Sequence, residues 1–155
     1  MNRIVIDGLP VGSISIAEEG GRIVSLKFAD EGAQGCISPV LIDAQKQVRA
    51  YFAGTLRHFD LPITLHTSPF RTLVYQALAQ ISYGETISYG QLAERIGRPR
   101  AVRAVGQALK QNPIWLIVPC HRVIGKNGSL TGFAGGLDAK AMLLALEQEN
   151  MEESK

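Results

Sequence analysis

The sequence predicts an α/β protein of the α+β kind. A small strand-rich N-terminal domain spans residues 1–67, and a mostly helical domain with a winged-helix-like helix-turn-helix spans residues 68–155. Three observations carry this reading. Polar and apolar residues alternate in "SISIA" and "RIVSLKF" on either side of "EEGG", which is the pattern of a β-hairpin. From Ser68 onward, apolar residues recur at helical spacing behind well-formed caps. Finally, "SYGQLAERIG", "RPR" and "AVRAVGQALK" follow one another, placing two short helices about a tight turn.

The elements follow in order, with no internal repeat. In "SPVLIDAQKQVRAYFAG", Ser38 stands at the cap and Pro39 at the first helical position, where its missing N–H has no helical partner to lose. Val40, Leu41, Ala44, Val48 and Tyr51 then keep helical spacing, and Gly54 stops the helix. "TLRHFDLPITLHTSPF" reads as a last strand and linker, and no role falls to His58 or His66 within it. A second helix begins at Ser68 and Pro69; Phe70, Leu73, Val74, Ala77, Leu78 and Ile81 make one apolar stripe. Ser88 and Gln91 have the spacing of a capping box, Ile87 and Leu92 that of a hydrophobic staple, and Gly97 is a stop.

The next helix, read as starting at Pro99, separates into two faces. Ala101, Ala104, Val105, Ala108 and Leu109 are apolar, whereas Arg100, Arg103, Gln107 and Lys110 lie opposite, with Gly106 on the flank. Glycine within a helix costs about 0.5–1 kcal/mol relative to alanine, so Gly106 implies that another backbone comes close. An amphipathic helix is ordinarily just solvated. The complete lack of carboxylates on this polar face favours a phosphate-bearing partner instead.

Whole-chain properties narrow the function. With 155 residues, 46% of them hydrophobic and 19% charged, the composition is that of a soluble globular protein. No apolar run reaches the roughly 18 residues of a membrane span, and "MNRIVIDGLP" is no signal peptide. The expectation is cytoplasmic, without membrane association. The net charge of +2 conceals an asymmetry. Residues 1–67 carry six Lys/Arg against seven Asp/Glu, while residues 85–126 carry seven, Arg122 and Lys126 among them, against only Glu85 and Glu94. Two distant cysteines and three scattered histidines offer neither a disulfide framework nor zinc-ligand spacing. No metal and no cofactor is expected.

The chemistry concentrates in "IVPCHRVIG". Cys120 is followed by His121 and Arg122, residue types that raise the thiolate fraction of a thiol whose ordinary pKa is about 8.5. Consecutive side chains of a strand face opposite ways, so cooperation demands a bend or a bridging water, and Pro119 makes a break plausible. Cys36 has no such neighbours and reads as an incidental thiol. The apolar run "IWLIV" reads as a buried strand or extended segment delivering Cys120 beside the basic helix. The glycine-rich "GKNGSLTGFAGG" downstream, with Phe133 near its centre, reads as a pocket wall. In the last helix Glu147 shares a stripe with Leu143 and Leu144; a carboxylate there needs a partner, and His121 is the unassigned one.

"PCHRVIG", with "GETISYGQLA" and "RAVGQALKQNP" before it and "GSLTGFAGGL" and "LLALE" after it, closely resembles the O(6)-alkylguanine–DNA alkyltransferases, the methylated-DNA–protein-cysteine methyltransferases. The resemblance runs from about Pro69 to Glu147. It implies a ribonuclease-H-like N-terminal domain and direct-reversal repair: the alkyl group of O(6)-alkylguanine, and of O(4)-alkylthymine, moves irreversibly from double-stranded DNA to the protein. It implies Cys120 as nucleophile, His121 as water-linked base, Glu147 as its orienting carboxylate and Asn112 as support of the active-site turn. Tyr89 would rotate the DNA backbone and help protonate the departing base, and Arg103 would replace the extruded guanine. Arg100, Gly106, Gln107, Lys110 and Arg122 complete the DNA contacts; Val123, Phe133, Ala134, Gly135 and Gly136 line the base pocket. A monomer with no obligate protein partner is implied. Relatives often carry tyrosine or tryptophan at Phe133, and some carry serine at Ala134, so the pocket here is less polar. Three rivals remain: a non-catalytic sensor of alkylated bases, which would carry tryptophan at Cys120; a helix-turn-helix regulator, which would need further domains; and a cysteine hydrolase, which would need an oxyanion hole.

Overall fold

The protein is described from a computed structural model, covering residues 2–28, 35–128, 130, 133 and 136–153. The chain divides into two compact units, Met1–His66 with Pro113–Trp115, and Thr67–Asn112 with Leu116–Lys155.

The first unit is a three-stranded antiparallel sheet carrying one helix. Strands β1 (Asn2–Leu9), β2 (Gly12–Glu19) and β3 (Arg22–Phe28) lie in sequential order. Glu19 pairs with Arg22, and Gly20 and Gly21 between them both have positive φ (61° and 81°). That is the I′ geometry matching the twist of a hairpin. The hairpin follows the sequence pattern; β1 is a strand beyond it, although Ile4 and Ile6 do alternate. Ile4, Ile6, Ile14, Ile16, Leu26 and Phe28 are buried, as are Leu41, Ala44, Val48 and Tyr51 of α1 (Pro39–Phe52), which packs on the sheet. The helix ends in a Schellman motif: Thr55 N–H reaches Ala50 C=O, Gly54 N–H reaches Tyr51 C=O, and Gly54 has φ 81°. Ser38 occupies the cap position but makes no side-chain capping bond. The expected last strand shrinks to a single bridge, Ile23 to Ile63, because Pro62 has no N–H to extend a ladder.

The segment read as the strand "IWLIV" is also different. Ile114 bridges Leu26 once, Trp115 N–H bonds Leu26 C=O, and the Trp115 ring meets Phe28 edge-on at 5.1 Å. Leu116 then turns to φ 70°, a left-handed conformation that costs an L-residue about 1–2 kcal/mol and ends any extended run.

In the second unit, α2 (Pro69–Leu78) is capped by Ser68, and its Tyr75 hydroxyl donates to Ala108 C=O at 2.7 Å. Leu73 is exposed, so the buried stripe is Val74, Tyr75 and Leu78 rather than the full apolar set. Helix α3 (Tyr89–Arg95) begins with the expected Ser88–Gln91 capping box. It ends in a second Schellman motif at Gly97 (φ 74°), with Arg98 N–H on Ala93 C=O and Gly97 N–H on Glu94 C=O. The turn closes by Ala101 N–H on Arg98 C=O. Helix α4 therefore spans Val102–Lys110 rather than beginning at Pro99, leaving Arg100 in the turn. Ala104 is exposed, and the buried face of α4 is Val105, Ala108 and Leu109. The parallel pair β4 (Ile87–Ser88) and β5 (Val123–Ile124) is the non-helical element that the spacing of apolar residues does not show. Helix α5 spans Leu137–Glu153 and continues without fraying through Glu147.

Candidate active site

A proline turn presents the thiol. Pro119 sits at φ −81°, ψ 65°, and Cys120 N–H bonds Val118 C=O at 2.8 Å; this is an inverse γ-turn. Arg122 N–H closes onto Pro119 C=O, so Cys120–Arg122 forms one turn of 3₁₀ helix. The bend that an adjacent cysteine and histidine require is thus built by Pro119. Asn112, buried at the end of α4, donates from Nδ2 to Val118 C=O at 2.9 Å and also hydrogen-bonds the Cys120 side chain. It supports the turn and touches its thiol.

His121 is completely buried. Its Nε2 lies 2.7 Å from Glu147 Oε2, and its Nδ1 is buried with no hydrogen-bond partner among the described residues. Burial depresses the imidazole pKa more than the Glu147 carboxylate raises it. The neutral ring then carries its proton on Nε2, facing the carboxylate, and Nδ1 keeps a free lone pair. Burial alone would raise the Glu147 carboxyl, but the bonds and charges of His121 and Arg122 outweigh it and hold the group below the usual carboxylate range. With His121 neutral, the decisive charge is that of Arg122.

Arg122 corrects the sequence expectation. It is buried rather than placed on a DNA-facing surface. Its Nε and Nη2 clasp Glu147 Oε1 and Oε2 at 2.9 and 3.0 Å, and its Nη1 donates to Ile81 C=O at 2.8 Å. The guanidinium also lies 5.6 Å from the centre of the Tyr83 ring. A fork of five donors suits both carboxylate oxygens at once. Gly84 N–H adds a further bond to Glu147 Oε1 at 3.1 Å. At Gly84 φ is +79°, and a β-carbon would stand 2.5 Å from Met151 Cγ, so any other residue is strained there and must displace the Met151 side chain.

The thiol differs from expectation too. Burial pushes the Cys120 pKa up to about 11, against opposition from Asn112 and Lys140. At rest it is a protonated thiol, not an activated thiolate. Desolvation of a group only 6% exposed outweighs the basic residues following it in sequence.

Arg100, Arg103, Gln107 and Lys110 are all exposed, as the carboxylate-free face requires. Among the described residues nothing lies within 4 Å of a β-carbon built on Gly106, so no backbone among them explains that glycine. Tyr89, half-buried, lines an open cleft of about 690 Å³ with Ser88, Gly90, Gln91, Glu94, Val102 and Lys126. Val123 is buried in β5 and Phe133 is half-buried; Gly136 (φ 97°) precedes α5, with its N–H on Phe133 C=O. Ala134 and Gly135 lie outside the described residues. Among the described residues no group of three or more His, Cys, Asp or Glu could hold a metal ion.

The comparisons with known proteins agree over both units. Residues 69–149 match the DNA-binding domain, and residues 8–65 the ribonuclease-like domain, of the 6-O-methylguanine DNA methyltransferases. The chain belongs to this family. It is 42% identical to the constitutive methylated-DNA–protein-cysteine methyltransferase of Bacillus subtilis, over 99% of both chains. It is 54% identical to the corresponding protein of Methanosarcina acetivorans, over 89% of this chain and 93% of that one. The crystal structure of Mycobacterium tuberculosis OGT in complex with DNA superimposes with a TM-score of 0.90 at 41% identity, covering 97% of this chain and 94% of that one. Within the family frame, sequence reasoning missed Gly84 and Lys140 and assigned Arg122 to the wrong partner. Only the pairing of Glu147 could have drawn attention to Arg122, since a lysine on a helix or a glycine after a tyrosine has no signal of its own.

Proposed function

We propose that this methyltransferase repairs O(6)-alkylguanine in double-stranded DNA by moving the alkyl group to its own Cys120, once per molecule. The observation that carries the reading is the one-turn 3₁₀ segment Cys120–Arg122, in which a buried thiol is followed by a neutral imidazole held by the Glu147 carboxylate, itself clasped by Arg122. Arg100, Gln107 and Lys110 hold the phosphates and Arg103 fills the gap left by the extruded base, because the atom attacked is inaccessible inside the stack. The Cys120 proton passes through a water to His121 Nδ1. The sulfur lone pair then forms an S–C bond as the C–O bond breaks in line. The guanine leaves with its oxygen and takes a proton delivered by Tyr89, and Val123, Phe133, Ala134, Gly135 and Gly136 enclose it. A raised resting pKa suits this sequence of events, since a thiol kept protonated until the base arrives is protected from adventitious reaction. The resulting thioether has no built-in route for release.

The test is excess duplex containing O(6)-methylguanine, incubated long and followed by mass analysis of the Cys120 peptide. One methyl group per protein, on that peptide alone, is expected. DNA binding without any methylated peptide would favour a damage sensor, and transfer beyond one equivalent would refute the stoichiometric mechanism. The same experiment with O(4)-methylthymine decides the second lesion.

A further inference from the structure

Helix α5 turns a single buried stripe inward: Lys140, Leu143 and Glu147 are each no more than 1% exposed. The positions stand three and seven residues apart, on one helix face. Two of the three are ionisable. Glu147 is explained by His121 and Arg122; Lys140 plays no part in the mechanism above. Its Nζ donates to Val123 C=O at 2.6 Å, and Val123 immediately follows the turn that carries Cys120. Burying an ammonium is expensive, and an apolar side chain of equal length would fill the same space without that cost. A role confined to packing therefore explains Lys140 poorly.

The reaction, by contrast, needs a cation there. Removing the Cys120 proton creates an anion in a site 6% exposed. His121 is neutral before the transfer, the charge it gains with the proton is paired with Glu147 at 2.7 Å, and the Arg122 charge is committed to the same carboxylate through two bonds. We propose that Lys140 is the built-in countercharge of the Cys120 thiolate, a positioning residue whose ammonium is fixed beside the active-site turn by the Val123 carbonyl. The electrostatic coupling runs both ways: burial lowers the Lys140 pKa and Cys120 opposes that shift, while Lys140 opposes the upward push of burial on Cys120. Among the described residues, the other side chains coupled to the thiol are Asn112 at the end of α4, which hydrogen-bonds it, and Tyr75 on α2, whose pKa it helps to raise. Neither is cationic. Lys140 keeps its protons throughout, and the thiol proton still goes to His121.

This inference rests on Cys120 being the nucleophile, and the test separates the two. Lys140→Met removes charge and donor; Lys140→Gln keeps an N–H for Val123 C=O and removes only the charge. Both are made in full-length protein with Cys36→Ser, and melting and affinity for undamaged duplex are checked. The readouts are the pH profile of Cys120 labelling by iodoacetamide and the transfer rate from free O(6)-benzylguanine. Both variants should fold, bind DNA as before, shift the labelling profile up by about one pH unit and slow transfer about tenfold at neutral pH, one unit being a factor of ten in thiolate. If Lys140→Gln keeps the parent profile and rate, the lysine acts only as a hydrogen-bond donor and the proposal is overturned. If the variants do not fold, ¹⁵N titration of the Lys140 ammonium in the parent protein decides. Its pKa should fall in Cys120→Ser, and an unchanged value overturns the proposal. Absence of any methyl on Cys120 in the parent protein would instead sink the functional reading itself.

Discussion

Replacing Glu147 by glutamine changes one charge and almost no volume, yet the geometry predicts a double loss. Glu147 accepts from His121 Nε2 at 2.7 Å, from Arg122 Nε and Nη2 at 2.9 and 3.0 Å, and from Gly84 N–H at 3.1 Å. In Glu147→Gln the amide oxygen can keep the Arg122 Nε and Gly84 bonds, but the amide NH₂ then faces the other two donors. Arg122, buried, is left without its counterion, and breaking a buried pair in this way costs roughly 3–5 kcal/mol. His121 can escape the donor–donor clash by moving its proton from Nε2 to Nδ1. That removes the lone pair the thiol relay needs, and a lost general base slows a reaction by about 10²–10⁴-fold. Urea melts followed by circular dichroism measure the first loss. Single-turnover transfer from free O(6)-benzylguanine, under conditions where the variant is fully folded, measures the second. A folded Glu147→Gln protein reacting within a few-fold of the parent would refute the tautomer argument. Stability of the parent should also fall on acidification. Both the Glu147 and His121 pKa values lie lower in the folded than in the unfolded chain, so protons favour unfolding. The His121 contribution starts to be lost below about pH 6.5 and that of Glu147 below about pH 4.3.

The raised Cys120 pKa has the opposite sign: stability is fully present below the unfolded thiol value near 8.5 and is lost as pH rises toward about 11. That alkaline loss, on the order of 3 kcal/mol, should vanish in Cys120→Ser when melts are compared from pH 8 to 11. Because Cys36 is exposed and Cys120 buried, a bulky thiol reagent at neutral pH should label Cys36 first in DNA-free protein, as peptide mass analysis would show; faster labelling of Cys120 would contradict the buried, protonated thiol. Gly84→Ala should destabilise by about 1–3 kcal/mol, the usual scale of overpacking, and Met151→Ala should recover part of it in a double-mutant melt. Arg103→Ala should slow repair of duplex far more than reaction with the free base, since only duplex requires extrusion; equal losses on both substrates would remove its role as a filler of the gap.

Much of the molecule is legible without coordinates because it is local. The Ser88–Gln91 capping box, the Gly54 and Gly97 stops and the Gly20–Gly21 turn arise within a few residues of chain. So does the exposed, carboxylate-free set Arg103, Gln107 and Lys110, whose character is a matter of helical spacing. Even the Glu147 pairing follows from a single rule, that a carboxylate on a packing face seeks a partner. What the tertiary structure decided is how charge and burial compete where distant segments meet. Arg122 turned inward because two carboxylate oxygens sit opposite its fork, 25 residues on in the chain. β4 and β5 pair across 36 residues, with Ile87 against Val123, and two-residue strands leave no period to read. Cys120 is held protonated because the field of its neighbours is weaker than the desolvation that the whole surrounding unit imposes. Adjacency is written in the sequence, whereas the dielectric around a side chain is set only once the unit has closed over it.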